Sequence, residues 1–381
     1  MTVLEKCLFL GVRFLLFFLV GVIGTLLPLV DVTFPYVDKL VASGLPRWLY
    51  SWGNFDGVHY IGIALQGYHE FDQAFFPVFP MLIRALEVFM GSYVLSGLLL
   101  SHVFLCGGTL LLYKLCEQAW GEQSATWIIM WTLAVPCAFF FGAIYNESLF
   151  LLLIVSCLYA LAHKKLLLAS MLGVIAGLTR VQGVLLIFPF MIMLYPIGMS
   201  WKDGIVHTIQ KYIFVIISPL LGLLGYMVYL AYSMHDWLYF LHAQSAFGAH
   251  RTSQLITLPQ VYVRYVRIFM TADYSWAYAI ALLEFASVTI GLMCSLWLIR
   301  YAYINRDKLA GAIAVLSLAL LIMPTLTGTF SSLPRYSITA LAIPLACSMI
   351  PSKRIKIGLM TLSILLQIFL ACAFIQGRFV A

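Results

Sequence analysis

The chain has 381 residues, of which 63% are hydrophobic and 10% charged, and its mean hydropathy is +1.00. So little polar surface excludes a soluble globular protein of this length, and the lack of alternating apolar and polar strands excludes an outer-membrane barrel. The net charge of +7 comes without a basic cluster on a soluble scaffold, so it speaks to membrane orientation rather than to nucleic acid.

Apolar runs long enough for a bilayer core of about 30 Å recur from end to end. They predict an all-α polytopic membrane protein, one integral-membrane domain over 1–381. The spans lie near 8–30, 92–115, 124–144, 147–163, 166–179, 182–199, 209–232, 276–300, 309–327, 335–351 and 357–377, about eleven in all. The first span follows Glu5 and Lys6 and contains Arg13. It is too long for a signal-peptide core and has no small-x-small cleavage site, so it reads as a retained anchor.

With the N-terminus in the cytoplasm, more than half of the 22 lysines and arginines fall on the inner side, as the positive-inside rule asks. Inner loops are then short turns such as HKK at 163–165. Two long loops, about 31–91 and 233–275, face outward. The eight cysteines all lie in or at the ends of apolar spans without a CxxC pair, which predicts neither disulfides nor zinc.

The first outer loop carries SWGNFDGVHYIGIALQGYHEFDQAFFPVFP at 51–80. A helix through Ile61, Ile63 and Leu65 puts His59 and Tyr60 on the face of Asp56, at i+3 and i+4. Asp56 at the start of that helix is favoured as a carboxylate. There it can take a proton from a hydroxyl or hold a divalent ion, or Asn54 and Asp56 can simply cap the helix. Glu70 and Asp72 read as plain loop residues. Trp48, Tyr50, Trp52, Phe75, Phe76 and Phe79 read as an aromatic belt on short interfacial helices, and 77–90 as an interfacial or re-entrant piece.

Further on, Asn146 and Glu147 sit at an outer junction, as catalytic groups or as a capped turn. Arg180 and Gln182 lie in the turn between two spans. An arginine at that depth costs roughly 2.5–3.5 kcal/mol unless it is wet or paired. A phosphate or Glu147 would serve as its partner, and snorkelling to the interface is the other reading. The loop 233–275 mixes aromatics with His242, Gln244 and Arg251, as a sugar site does or as any solvated loop does. Arg335 and Tyr336 follow Pro334, which suits a helix start. Together these residues offer a base and two cations on one side of the membrane, which suits a lipid-phosphate leaving group opposite a neutral hydroxyl. A transporter or flippase of a lipid-linked anion, or a non-catalytic subunit of a glycosylation complex, would use some of the same residues. The two halves do not mirror one another, as an inverted-repeat transporter would.

WGNFDGVHYIGIALQGY with AFFPVFPMLIRAL, then NESLFLLLIVSCLYAL, GLTRVQGVLLIFPF, DWLYFLHAQSAFG and SLPRYSITALAIPL together resemble the PIG-V family, the GPI mannosyltransferase 2-like proteins, with a loop pattern nearer its bacterial members. The resemblance implies a GT-C fold with interfacial helices in the first outer loop. It also implies transfer of a sugar, mannose foremost, from a polyprenyl- or dolichyl-phosphate donor, and together with the residues above the chain reads as an inverting transferase acting on a hydroxyl of a glycan or glycolipid. The essential acid would be Asp56. Arg180 and Arg335 would hold the donor phosphate. His59, Tyr60, Asn146, Glu147, Gln182, His242, Gln244, Arg251 and Tyr336 would line the substrates. This chemistry requires no cofactor, and a divalent metal is compatible with it but not required. The expected location is a bacterial plasma membrane with the site facing outward, or the ER membrane with a lumenal site in a eukaryote.

Overall fold

The computed structural model describes residues 3–27, 37–69, 71–196, 198–243 and 255–381, which hold helices and no strand. Four described helices are long and apolar enough to cross a membrane: Tyr93–Ala134, Trp276–Asn305, Lys308–Thr325 and Lys353–Ile375. A fifth arises if Lys202–Ile216 and Ser218–Met234, bent by 42°, form one span; Arg13–Leu26, Glu147–Ala162, Leu166–Thr179 and Val181–Leu194 are shorter apolar helices. Large apolar side chains stay exposed along them, among them Leu362, Leu365 and Phe369 on the last helix. Lipid is the solvent such a face requires. The chain is a multi-pass membrane protein. It folds as two compact units, 1–152 with 347–381, and 153–346.

In the first unit, α1 (Val3–Leu26) packs on the last helix, α13 (Lys353–Ile375). Helix α2 (Asp56–Gln66) and helix α3 (Val78–Met90) follow in the first loop, then α4 (Tyr93–Ala134) and α5 (Glu147–Ala162), of which 147–152 belong to this unit. Helix α3 starts after Pro77, stops at Gly91 in the left-handed region, and buries Phe79, Pro80 and Ile83 while exposing Met81, Val88 and Phe89. The 92–115 run and the start of the 124–144 run are two helical stretches of α4 that meet at a break at Gly121, with φ 82° and ψ 165°. Only glycine takes those angles without strain.

The rest of 124–144 is not helical. Pro136 forces the residue before it out of the helical region, and Val135 is extended with ψ 147°. The run then continues as a buried 3₁₀ turn, Ala138–Phe141. Irregular backbone at membrane depth survives only where protein satisfies its polar groups. Gln367 Nε2 of α13 donates to the carbonyls of Leu133 and Val135, at 3.2 and 2.6 Å. Ser363 Oγ donates to Ala134 O at 2.7 Å and Arg13 Nη2 to Ala138 O at 3.3 Å.

Of the aromatic belt expected of the first loop, Trp48 and Tyr50 are half-buried and the other four residues are core. Trp52, Phe75, Phe76 and Phe79 are buried, because their rings find partners within the unit. Trp52 stacks on Phe17 with centroids 3.7 Å apart, and Phe75 and Phe79 each pack edge-on to Tyr60 at 5.2 Å.

In the second unit, α6 (Leu166–Thr179) packs on α8 (Ser218–Met234), which follows α7 (Trp201–Ile216). The contact is backbone to backbone. A Cβ on Gly177 would fall 2.1 Å from Pro219 O, and one on Gly222 would fall 2.0 Å from Val174 O. Small residues are what membrane helices use to approach this closely. Helix α9 (Leu258–Thr271), then α10 (Trp276–Asn305) and α11 (Lys308–Thr325) follow.

The expected span 335–351 is a chain of short pieces: α12 (Leu333–Tyr336), a 3₁₀ turn Ser337–Thr339 and a short helix Ala342–Ser348. Hydroxyls compete with the helix ladder here. Ser337 Oγ donates to Pro334 O at 2.8 Å, Thr339 Oγ1 donates to Tyr336 O at 3.0 Å, and Ser317 Oγ of α11 accepts the Ala342 N–H at 3.0 Å.

Candidate active site

Asp56 opens α2 after a backbone turn built by tertiary contacts. Phe55 has φ 59° and ψ −117°, a region dominated by glycine. The Tyr145 hydroxyl holds the turn on both sides, accepting the Asp56 N–H at 3.2 Å and donating to Asn54 O at 2.8 Å. Asn54 Nδ2 in turn donates to Phe374 O at 2.8 Å. Asn54 is therefore a buried anchor rather than a side-chain cap, and α2 has no side-chain cap at its start. Asp56 itself is half-buried, at the helix end whose dipole favours negative charge.

His59 lies one turn along, its ring parallel to Phe75 with centroids 4.8 Å apart. Its Nδ1 is 2.8 Å from Asp72 Oδ1, and Asp72 Oδ2 accepts the His69 N–H at 3.3 Å. Asp72 is buried, so it is more than a loop residue. A carboxylate on one ring nitrogen fixes the tautomer of the other. Tyr60 is buried between Phe75, Phe79 and Tyr145, which makes it packing for the Asp56 turn. Asn146 and Glu147 are buried at the start of α5, next to Tyr145. The structure thus brings Asp56, His59 and Tyr60 together with Tyr145, Phe75 and Asp72, while Asn146 and Glu147 follow Tyr145 directly in the chain. In sequence Tyr145 reads only as the first residue of the outer junction and Asp72 only as a loop residue, because their partners lie far along the chain or across a turn.

In the second unit, Arg180 ends α6 in an extended conformation and Arg335 sits in α12, and both are buried, at 8% and 5% exposure. Their guanidinium carbons lie 5.0 and 5.1 Å from the centroid of one ring, that of Tyr336. Arg335 Nη2 also donates to the Tyr336 hydroxyl at 3.3 Å, and Arg180 Nε to Gln182 Oε1 at 3.3 Å. Two buried like charges repel, and a ring face offsets each by about 0.5–2 kcal/mol. The arrangement is suited to an anion, above all to the bidentate hydrogen bonding of a phosphate.

His242 is exposed on the one-turn helix Tyr239–His242, with Nδ1 2.6 Å from Asp236 Oδ2. That hydrogen bond holds the Asp236 carboxyl below its ordinary range. Gln244 and Arg251 lie outside the described residues. Among the described residues there is no group of three or more His, Cys, Asp or Glu placed to hold a metal ion.

No family model matches the chain, and no curated protein matches it. Among solved structures it is similar to the Archaeoglobus fulgidus oligosaccharyltransferase tethered with an acceptor peptide containing the NVT sequon. The TM-score is 0.46 with 11% identity, over 87% of this chain and 51% of that one. The same archaeal enzyme, AglB, in complex with an inhibitory peptide and a dolichol-phosphate gives 0.46 with 9% identity, over 98% and 56%. Its apo form gives 0.45 with 13% identity, over 81% and 48%. The chain spans about half the length of these structures.

Proposed function

We propose that this chain is a membrane glycosyltransferase that moves a sugar, mannose by the resemblance of its motifs to the PIG-V family, from a polyprenyl- or dolichyl-phosphate to a hydroxyl acceptor with inversion. The observation that carries the reading is the pair of buried arginines on the Tyr336 ring. An intramembrane cation costs free energy and is retained for an anionic partner or pathway. A lipid phosphate is an anion of that kind, reached from within the bilayer.

In this reading Asp56 takes the proton of the acceptor hydroxyl as its oxygen attacks the anomeric carbon. The bond from that carbon to the phosphate oxygen breaks, and its electron pair leaves with the phosphate. Arg180 and Arg335 hold the phosphate and stabilise the charge it gains. His59, Glu147 and Gln182 orient the sugar and acceptor. One base and one activated leaving group are enough, with no covalent intermediate. The site faces away from the cytoplasm.

The test is transfer of radiolabelled mannose from a short polyprenyl-phosphate mannose to membrane glycans or glycolipids. Asp56→Asn, folded and inserted as wild type, should lose about 10²–10⁴-fold in kcat. Near-full activity in that variant removes Asp56 from the base role. Binding of the lipid phosphate with movement across vesicle membranes and no sugar transfer would make the chain a flippase instead.

A further inference from the structure

One buried carboxylate plays no part in this chemistry. Glu284 lies inside α10, a membrane-spanning helix, and is 6% exposed. A buried charged group adds little stability over a well-packed apolar one. What it adds is a directional hold on its partner. Here the partner is the Tyr265 hydroxyl of α9, which donates to Glu284 Oε2 at 2.5 Å. Burial, then the Glu284 charge, pushes the Tyr265 hydroxyl above its ordinary range, so it stays a donor.

The same hydroxyl accepts the N–H of Phe330 at 3.1 Å, with Thr329 Oγ1 at 3.4 Å. Its neighbour Arg264 donates through Nη1 to Gly328 O at 3.0 Å, and Ile256 N–H donates to Leu326 O at 3.0 Å. Phe330 is fully buried, with its ring 4.6 Å from Tyr265 and 5.0 Å from Tyr262. From there the backbone is tied turn by turn, Leu333 N–H to Phe330 O and Tyr336 N–H to Ser332 O, each at 3.0 Å. The segment so anchored is the one that carries Arg335.

We infer that Tyr265 and Glu284 are positioning residues. The carboxylate fixes the Tyr265 hydroxyl, the hydroxyl fixes the Phe330 amide, and that anchor sets where Arg335 presents its guanidinium. The inference rests on the reading of Arg180 and Arg335 as a phosphate site.

The test uses the full chain in detergent, with geranyl phosphate as the probe. Hydrogen exchange is followed in the peptide spanning 328–336, and phosphate affinity by titration. Tyr265→Phe and Glu284→Leu should each speed exchange in that peptide and weaken geranyl phosphate by about tenfold. Glu284→Gln, whose amide oxygen still accepts the tyrosine hydrogen, should stay near wild type in both. In an Arg335→Gln background, Tyr265→Phe should weaken binding no further; in an Arg180→Gln background it should still do so. Wild-type exchange in Tyr265→Phe overturns the inference. So does an undiminished effect of that change once Arg335 is gone. If the wild-type chain ignores geranyl phosphate, the phosphate reading falls, and the exchange result alone decides whether the anchor holds the turn. Should Glu284→Leu fail to fold, Tyr265→Phe carries the test alone.

Discussion

Tyr145 touches the backbone on both sides of Phe55, so its hydroxyl helps to aim the Asp56 carboxylate. Tyr145→Phe leaves the Asn54 carbonyl and the Asp56 amide without it. That should cost about 1–3 kcal/mol of stability, read as a lower unfolding temperature in detergent, and should lower kcat more than it raises KM. The placement of Asp56 and His59 at i and i+3 of one helix is legible in the sequence because helical spacing alone creates it. Tyr145 is not, because its partners stand 89 and 91 residues away. Asp72 was legible only as a polar loop residue. Its role follows from a reverse of the chain, after α2, that returns the carboxylate to His59. For Glu284 the signal was its position in an apolar span, but nothing in sequence names Tyr265 as its partner.

Among the elements, hydropathy alone locates α10, α11 and α13, whose apolar runs are uninterrupted. It misreads 135–144 and 335–351 because it counts side chains and not backbone geometry. Both are apolar enough to span, yet Pro136 breaks the first and Pro334, with the back-bonding Ser337 and Thr339, fragments the second. Each break exposes carbonyls that other elements must satisfy, and a polar residue in a spanning helix is the mark of that duty. Gln367 is the clearest case. Gln367→Leu keeps the bulk but orphans the Leu133 and Val135 carbonyls. The expected cost is about 1–3 kcal/mol for the buried groups left unsatisfied, seen as a lower unfolding temperature. An unchanged value would mean that water reaches the break. Ser363, one turn away on α13, anchors only Ala134 and should cost less when changed to Ala.

For the whole molecule, the class was legible from composition because lipid-facing helices need apolar surface all round. The number of spans was less so, since length and hydropathy do not tell a membrane crossing from a short buried helix. Orientation rests on the distribution of Lys and Arg and is open to direct measurement. In a background with all eight cysteines replaced, Tyr274→Cys, at a position 92% exposed in the second long loop, should react with a membrane-impermeant maleimide on intact cells. Lys164→Cys, in a short turn that the Lys and Arg distribution assigns to the inner side, should react only after permeabilisation. The reverse pattern would place the proposed chemistry in the cytoplasm.

The turn at Phe55 has a consequence for how this protein can change. Shape and chemistry pull that position apart. Its backbone angles favour glycine, while its ring lies 5.8 and 5.9 Å from Phe374 and Phe379 and contributes packing that glycine would lose. Phe55→Gly relieves the strain but loosens the unfolded chain and the aromatic contact, so overall stability should move by no more than about 1 kcal/mol either way. The aim of Asp56 should suffer more, with kcat falling while KM holds. Selection for stability alone would tolerate glycine at that position; only selection for turnover would keep the phenylalanine. Position 55 is thus where the demands of folding and of catalysis can be told apart by one substitution.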